Sequence, residues 1–190
     1  MGTGALVRRG GRAVARGAGV TVRSVCLHGP ESTGKSTMAP RLARHFDVPW
    51  VAEFGRTYCE AYGTNLNMSD LLVIAQAQDA KARKAVEGGG WPVILDTDPL
   101  MTAVWADMMF GRRDPWFDRW DATADLYLLF DIDLPWQEDG TRMFGTARDR
   151  QRFFDLSRRE LERRGVRWAL IRGEGSRRYL NALEAIHAAT

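Results

Sequence analysis

Gly29-Pro30-Glu31-Ser32-Thr33-Gly34-Lys35-Ser36 matches the pattern G-x-x-x-x-G-K-[ST] at every fixed position. The chemistry this spacing serves is anion binding. The glycines let the backbone wrap closely, so that successive N–H groups point inward. A helix starting at the end of the loop adds the positive end of its dipole. Lys35 supplies a point charge for terminal phosphates, and Ser36 offers a hydroxyl to Mg²⁺. Glu31, Ser32, Thr33 and Thr37 complete the cradle. The β-rich run Val20 to Leu27 precedes the loop and a helical pattern follows from Lys35. A glycine-rich turn matching by accident would lack that strand–turn–helix context.

Two further acids have the placement that phosphoryl chemistry requires. Asp96 closes the apolar run Val93-Ile94-Leu95 and is the candidate to order a magnesium shell. Its alternative job is to cap the next helix, for which Asp98, directly before Pro99, is better placed. Asp98 is also a candidate for substrate contact and catalysis. Glu53 ends a second strand and precedes Phe54-Gly55-Arg56. There a carboxylate can orient an acceptor hydroxyl and take its proton. Arg56 would hold an anion or pair with Glu53; a plain surface ion pair is the alternative.

Residues 135–152 read PWQEDGTRMFGTARDRQR. Arg142, Arg148, Arg150 and Arg152, with Arg158 further on, gather around Gly140 and Gly145. Such a hinged, arginine-rich segment suits a lid that closes over transferring phosphates, its guanidinium groups neutralising the developing charge. A solvated helix face is the alternative. Nucleic acid is a poorer partner, because Glu138, Asp139, Asp149 and Asp155 interrupt the basic charge.

These residues need elements to hold them. Strands are expected at Val20–Leu27, Val48–Glu53, Pro92–Asp96, Asp125–Asp131 and Val166–Ile171. Helices are expected at Lys35–Phe46, Phe54–Tyr62, from a Ser69 cap to Glu87, from Asp98 to Phe110, Gln151–Arg164 and Tyr179–Ala189. Alternation of this kind predicts an α/β three-layer sandwich of the P-loop NTPase type, a central parallel sheet of about five strands with helices on both faces. Ligands in such sheets bind at the carboxyl ends of the strands, where the motifs lie.

At 190 residues, 45% hydrophobic and 27% charged, the chain has the makeup of one globular domain. Its formal charge is +3, but residues 1–23 hold five arginines and no acid, leaving the rest at a net −2. Bulk charge therefore gives no reason to expect nucleic acid. No apolar run approaches the ~20 residues of a membrane span. Cys26 and Cys59 are too few for a disulfide framework or zinc site, so a reduced, cytoplasmic setting is the expectation. Residues 1–19 read as a disordered Gly/Ala/Arg tail, with a targeting segment or a misassigned start as alternatives. Residues 20–190 read as a single domain, and oligomeric state stays open.

The segments GPESTGKST, AEFGR, ILDTDPLMT, WQEDGTR and RDRQRF stand in the order and spacing of the ribosylnicotinamide kinase domain of NadR-type proteins. The resemblance covers about residues 22–188. It implies ATP- and Mg²⁺-dependent phosphorylation of nicotinamide riboside at its 5′-hydroxyl, yielding nicotinamide mononucleotide in NAD salvage. By this resemblance Lys35 and Ser36 fall on the ATP–Mg²⁺ site. Glu53, Arg56, Asp96 and Asp98 fall on positions around metal and riboside, and Arg142 and Arg150 on lid arginines. The family carries an aromatic residue just before the glutamate; here it is Ala52, with Trp50 on the same strand face. Family proteins with an adenylyltransferase and a DNA-binding domain are longer, so a kinase module alone is expected. The competing readings are a kinase for another nucleoside or nucleotide, and a regulatory P-loop ATPase. A guanine-reading N-K-x-D motif is absent, and an AAA+ machine would need a further helical domain.

Overall fold

The structure is a computed structural model that describes Arg8–Arg9 and residues 21–90 and 92–190. Its strands are β1 (Arg8–Arg9), β2 (Ser24–His28), β3 (Trp50–Val51), β4 (Val93–Asp96), β5 (Leu126–Phe130) and β6 (Arg167–Ile171). Its helices are α1 (Lys35–Phe46), α2 (Phe54–Tyr62), α3 (Met68–Glu87), α4 (Pro99–Phe110), α5 (Pro115–Arg119), α6 (Ala147–Arg164) and α7 (Gly175–His187). The sheet order is β1-β6-β5-β2-β4-β3. Strands β2 to β6 are parallel, and β1 adds a short antiparallel edge through Arg8 opposite Trp168. The remainder of the expected 1–19 tail lies outside the described residues.

β2, β4 and β5 are buried along their whole length, as strands covered on both faces must be. Alternate side chains feed two cores. Val25, Leu27, Leu126 and Leu128 pack against Met38 and Leu42 of α1 and Ile186 of α7. Cys26, Leu95, Tyr127 and Leu129 pack on the other face with Leu100 of α4 and Phe154 and Leu161 of α6. The register aligns Leu27 with Asp96 and with Leu128, so the ends of β2, β4 and β5 converge on one rim of the sheet.

Several boundaries differ from expectation for local reasons. Asn67, not Ser69, caps α3; its side chain accepts from the Ser69 and Asp70 N–H groups, and Asp70 completes a capping box. α6 begins at Ala147, capped by Thr146, whose hydroxyl accepts from the Asp149 N–H at 3.1 Å. That start puts Arg148, Arg150 and Arg152 on a helix rather than on a free lid. α5 was not anticipated, although Asp114-Pro115 repeats the cap-then-proline start of Asp98-Pro99. β3 is only Trp50–Val51, because Pro49 has no N–H to pair and Glu53 already turns into α2. α7 starts at Gly175, ahead of Tyr179. Among the described residues no helix is long and apolar enough to cross a membrane.

Candidate active site

The loop between β2 and α1 is built as its sequence requires. A Cβ on Gly29 would lie 2.7 Å from the Phe130 carbonyl oxygen, and Gly29 has a φ of 122°. Only glycine lets the loop leave β2 so close to β5. Gly34, at φ 85°, turns into α1 and leaves the helix N-terminus bare of any side-chain cap. The Thr33 hydroxyl donates to the Pro30 carbonyl at 2.8 Å. The Lys35 ammonium donates to the Gly29 and Pro30 carbonyls at 2.8 and 2.7 Å. Its burial lowers its pKa, against the attraction of Glu53, Asp96 and Glu31. A lysine held this way presents its charge at the mouth of the loop.

One cavity joins this loop to residues of α2, α3 and α4. Gly29 and residues 31–37 line the phosphate end, which includes Glu31, Ser32, Thr33, Gly34, Lys35, Ser36 and Thr37. Glu53, Arg56, Cys59 and Gln78 also line the cavity, with Leu66, Leu71, Ile74, Met101 and Trp105. Thr141, Arg142 and Met143 roof it. Glu53 stands at the N-cap of α2 but makes no capping bond, so its carboxylate is left to the cavity. Burial, then the nearby charge of Asp96, pushes its pKa up to about 7, against Lys35 and Arg56. An acid held near neutrality is suited to accept a proton.

Asp96 is 1% exposed. Burial raises its pKa, while Lys35 and a hydrogen bond with Ser36 oppose the rise. Its Oδ1 is buried without a hydrogen-bond partner. A hydroxyl beside an orphaned carboxylate oxygen, both near the phosphate loop, fits Mg²⁺, which takes one or two protein oxygens and completes its shell with phosphates and water. Among the described residues no cluster of three or more His, Cys, Asp or Glu forms a self-sufficient metal cage.

Asp96, Asp98 and Arg150 are absent from the cavity lining; Asp96 lies behind it, reaching the phosphate loop through Ser36. Asp98 caps α4, accepting from the Leu100 N–H at 3.0 Å, and it also accepts from the Tyr127 hydroxyl. Burial raises its pKa to about 6. The Arg150 guanidinium donates to the Leu134 carbonyl at 2.7 Å, at the root of the lid. Arg142 does line the cavity, and its Nε lies 3.2 Å from Asp139. Arg56 pairs with Asp139 at 2.9 Å rather than with Glu53, so it ties α2 to the lid. Against its burial, hydrogen bonds from Arg56 and Thr141 pull the Asp139 carboxyl down to about 2. Trp50 is 42% exposed and stands outside the lining; Trp105 provides the aromatic wall instead.

The phosphate loop also grips the lid directly. The Glu31 carboxylate accepts from the Met143 and Phe144 N–H groups at 3.2 and 3.1 Å. The Ser32 hydroxyl accepts from the Gln137 N–H at 2.8 Å. The motif marked Glu31 as a loop residue but held no sign of this second task. Two more features of the site carry no sequence motif. Gln78 is a polar residue on the buried stripe Leu71, Ile74, Ala75 and Gln78 of α3, a visible interruption of its period. Thr97, between the two aspartates, has a φ of 79°. For a β-branched residue that backbone costs on the order of 1–3 kcal/mol.

A parallel sheet with a glycine–lysine loop between its central strand and first helix, and an acid ending the neighbouring strand, defines a P-loop nucleotide-binding domain. The chain belongs to the AAA domain family, whose sequence model matches residues 24–178. It is similar to the trifunctional NAD biosynthesis/regulator protein NadR of Escherichia coli (strain K12), 29% identical over 172 residues, covering 87% of this chain and 42% of the relative. The Salmonella typhimurium NadR is 28% identical over the same share. The chain therefore spans less than half the length of these curated relatives. A crystal structure of NadR in complex with NR superimposes at a TM-score of 0.73, with 26% identity over 90% of this chain and 51% of that one. NadR in complex with NAD and AMP-PNP gives 0.74, at 27% identity over 90% and 50%. Thymidylate kinase from Ehrlichia chaffeensis, 16% identical over 88% of this chain and 98% of its own, shares the fold at 0.65. The resemblance to NadR-type proteins drawn from the motifs thus extends over most of the chain.

Proposed function

We propose that this domain transfers the terminal phosphoryl group of ATP to the 5′-hydroxyl of nicotinamide riboside. The observation that carries the reading is one cavity lined both by the phosphate loop and by Glu53, Arg56 and the apolar side chains Leu71, Ile74, Met101 and Trp105. The loop N–H groups and Lys35 bind the β- and γ-phosphates. Ser36 and Asp96 would hold Mg²⁺, which would supply positive charge to offset that of the phosphates. Glu53 accepts the proton of the acceptor hydroxyl and points its oxygen at the γ-phosphorus. Arg142, on the roof, faces the charge that spreads over the transferred group, and the lid keeps water from competing. The NadR structures with NR and with AMP-PNP support this choice of donor and acceptor. A cytoplasmic setting is part of the reading, in keeping with the free thiols Cys26 and Cys59.

The test is ADP release by the purified protein with ATP and Mg²⁺, with and without a panel of ribosides, nucleosides and nucleotides. Release that depends on nicotinamide riboside supports the proposal. Preference for another nucleoside or a nucleotide makes it a different kinase, and release indifferent to every acceptor makes it an ATPase.

A further inference from the structure

Gln78 bridges the two loops that carry the two acids. It is 2% exposed, on the core-facing stripe of α3. Its Oε1 accepts from the Phe54 N–H at 2.8 Å, one residue after Glu53. Its Nε2 donates to the Thr97 carbonyl at 3.3 Å, one residue after Asp96. One amide thus spans the turn after β3 and the turn after β4, using its acceptor on one and its donor on the other. A buried amide is unfavourable unless both ends are paired. The rest of this stripe is apolar, and a leucine or methionine would fill the same volume without that demand.

The sheet alone does not fix these turns. β3 pairs with β4 only at Trp50 and Val51, so nothing in the strand ladder holds the backbone at Glu53. Thr97 sits in the left-handed region, where a β-branched residue stays only if its surroundings hold it. Its carbonyl is held by Gln78, and the following residue by the α4 cap.

We propose that Gln78 is a positioning residue that sets the separation and aim of Glu53 and Asp96. The inference rests on the kinase reading of the same site. Without the bridge, the Phe54 N–H and Thr97 carbonyl lose their partner, Thr97 relaxes toward ordinary backbone, and Asp96 turns with it. A displacement near 1 Å at reacting groups lowers turnover by on the order of a hundredfold.

The experiment compares wild type with Gln78→Met, which keeps the volume and removes both bonds. Three quantities are read: kcat and acceptor KM, the Mg²⁺ concentration for half-maximal rate, and Mn²⁺ affinity in the presence of AMP-PNP by electron paramagnetic resonance. The expected result is a kcat lowered about ten- to a hundredfold, a several-fold weaker Mn²⁺ affinity, a several-fold higher Mg²⁺ concentration for half-maximal rate, and an acceptor KM within about threefold of wild type. A loss confined to acceptor KM would show that the amide reads the substrate instead. A lower unfolding midpoint with kcat and Mn²⁺ affinity unchanged would reduce Gln78 to packing; either result overturns the proposal. If Gln78→Met does not fold, Gln78→Asn serves, since it keeps the amide but is one methylene too short to reach both partners. The Mn²⁺ titration needs no acceptor, so a wild-type protein inactive on every riboside would overturn the kinase reading while the Gln78 result stood by itself.

Discussion

Changing Glu53 to Gln should stabilise the protein while stopping its chemistry, and the stabilisation should depend on pH. The carboxyl is moved from its ordinary 4.5 to about 7 by burial and by the charge of Asp96. At about 1.4 kcal/mol per pH unit, that is roughly 3 kcal/mol of preference for the neutral form. Residual solvent contact reduces the figure, so about 1–3 kcal/mol is expected. The sign follows from linkage: the folded state favours the protonated acid, so its contribution is complete below pH 4.5 and is lost as pH rises through about 7. Glutamine is neutral throughout and escapes that loss. The variant should therefore match wild type in thermal midpoint near the acid end and exceed it at pH 8. At about 2–4 °C per kcal/mol for a chain of this size, the gap is a few degrees or more. The assay is thermal unfolding by circular dichroism across pH 5 to 8, with single-turnover phosphoryl transfer on the same samples. A midpoint difference that does not grow with pH would refute the electrostatic argument. Normal transfer by the variant would refute the role of Glu53 as base.

Lys35→Ala removes the loop's ammonium and should abolish turnover and weaken AMP-PNP binding, measured by calorimetry; near-normal kcat would sink the phosphate-loop assignment. Asp96→Asn should raise the Mg²⁺ concentration for half-maximal rate, whereas Asp98→Ala should lower the unfolding free energy by about 1–2 kcal/mol through the lost α4 cap and leave kcat within a few fold. Arg142→Ala should lower kcat ten- to a thousandfold with less effect on KM, as for a contact made chiefly at transfer. Glu31→Ala frees the Met143 and Phe144 N–H groups from the loop and should speed amide hydrogen exchange at both; unchanged protection would show that the lid is held elsewhere.

The parts of the site that were legible are those where one residue type alone satisfies the backbone. Gly29 must approach β5, Gly34 must turn into α1, and so the loop and its strand–helix context can be read directly. The place of Asp96 at the end of a buried strand was legible from the apolar run Val93-Ile94-Leu95 before it. The place of Arg150 was not legible because it depends on where α6 begins, and that is fixed by the Thr146 cap, one hydroxyl among many candidates. The aromatic wall was not legible, because Trp105 comes from α4, far from the Glu53 motif in the chain. Asp98 shows the reverse: the sequence already offered its capping role, and the Tyr127 contact that occupies its other oxygen joins residues far apart in the chain. Gln78 was visible as a polar break in an apolar stripe, but its partners lie across two other loops and no local pattern names them.

The most direct test of the account is identification of the product. Purified protein, ATP, Mg²⁺ and nicotinamide riboside are incubated together and followed by ³¹P and ¹H nuclear magnetic resonance. The account predicts one ADP released per phosphomonoester formed, with that phosphorus coupled to the 5′-methylene protons of the riboside, and no product with Lys35→Ala. ATP consumed with only inorganic phosphate formed, or phosphate on any other position of the riboside, would contradict it.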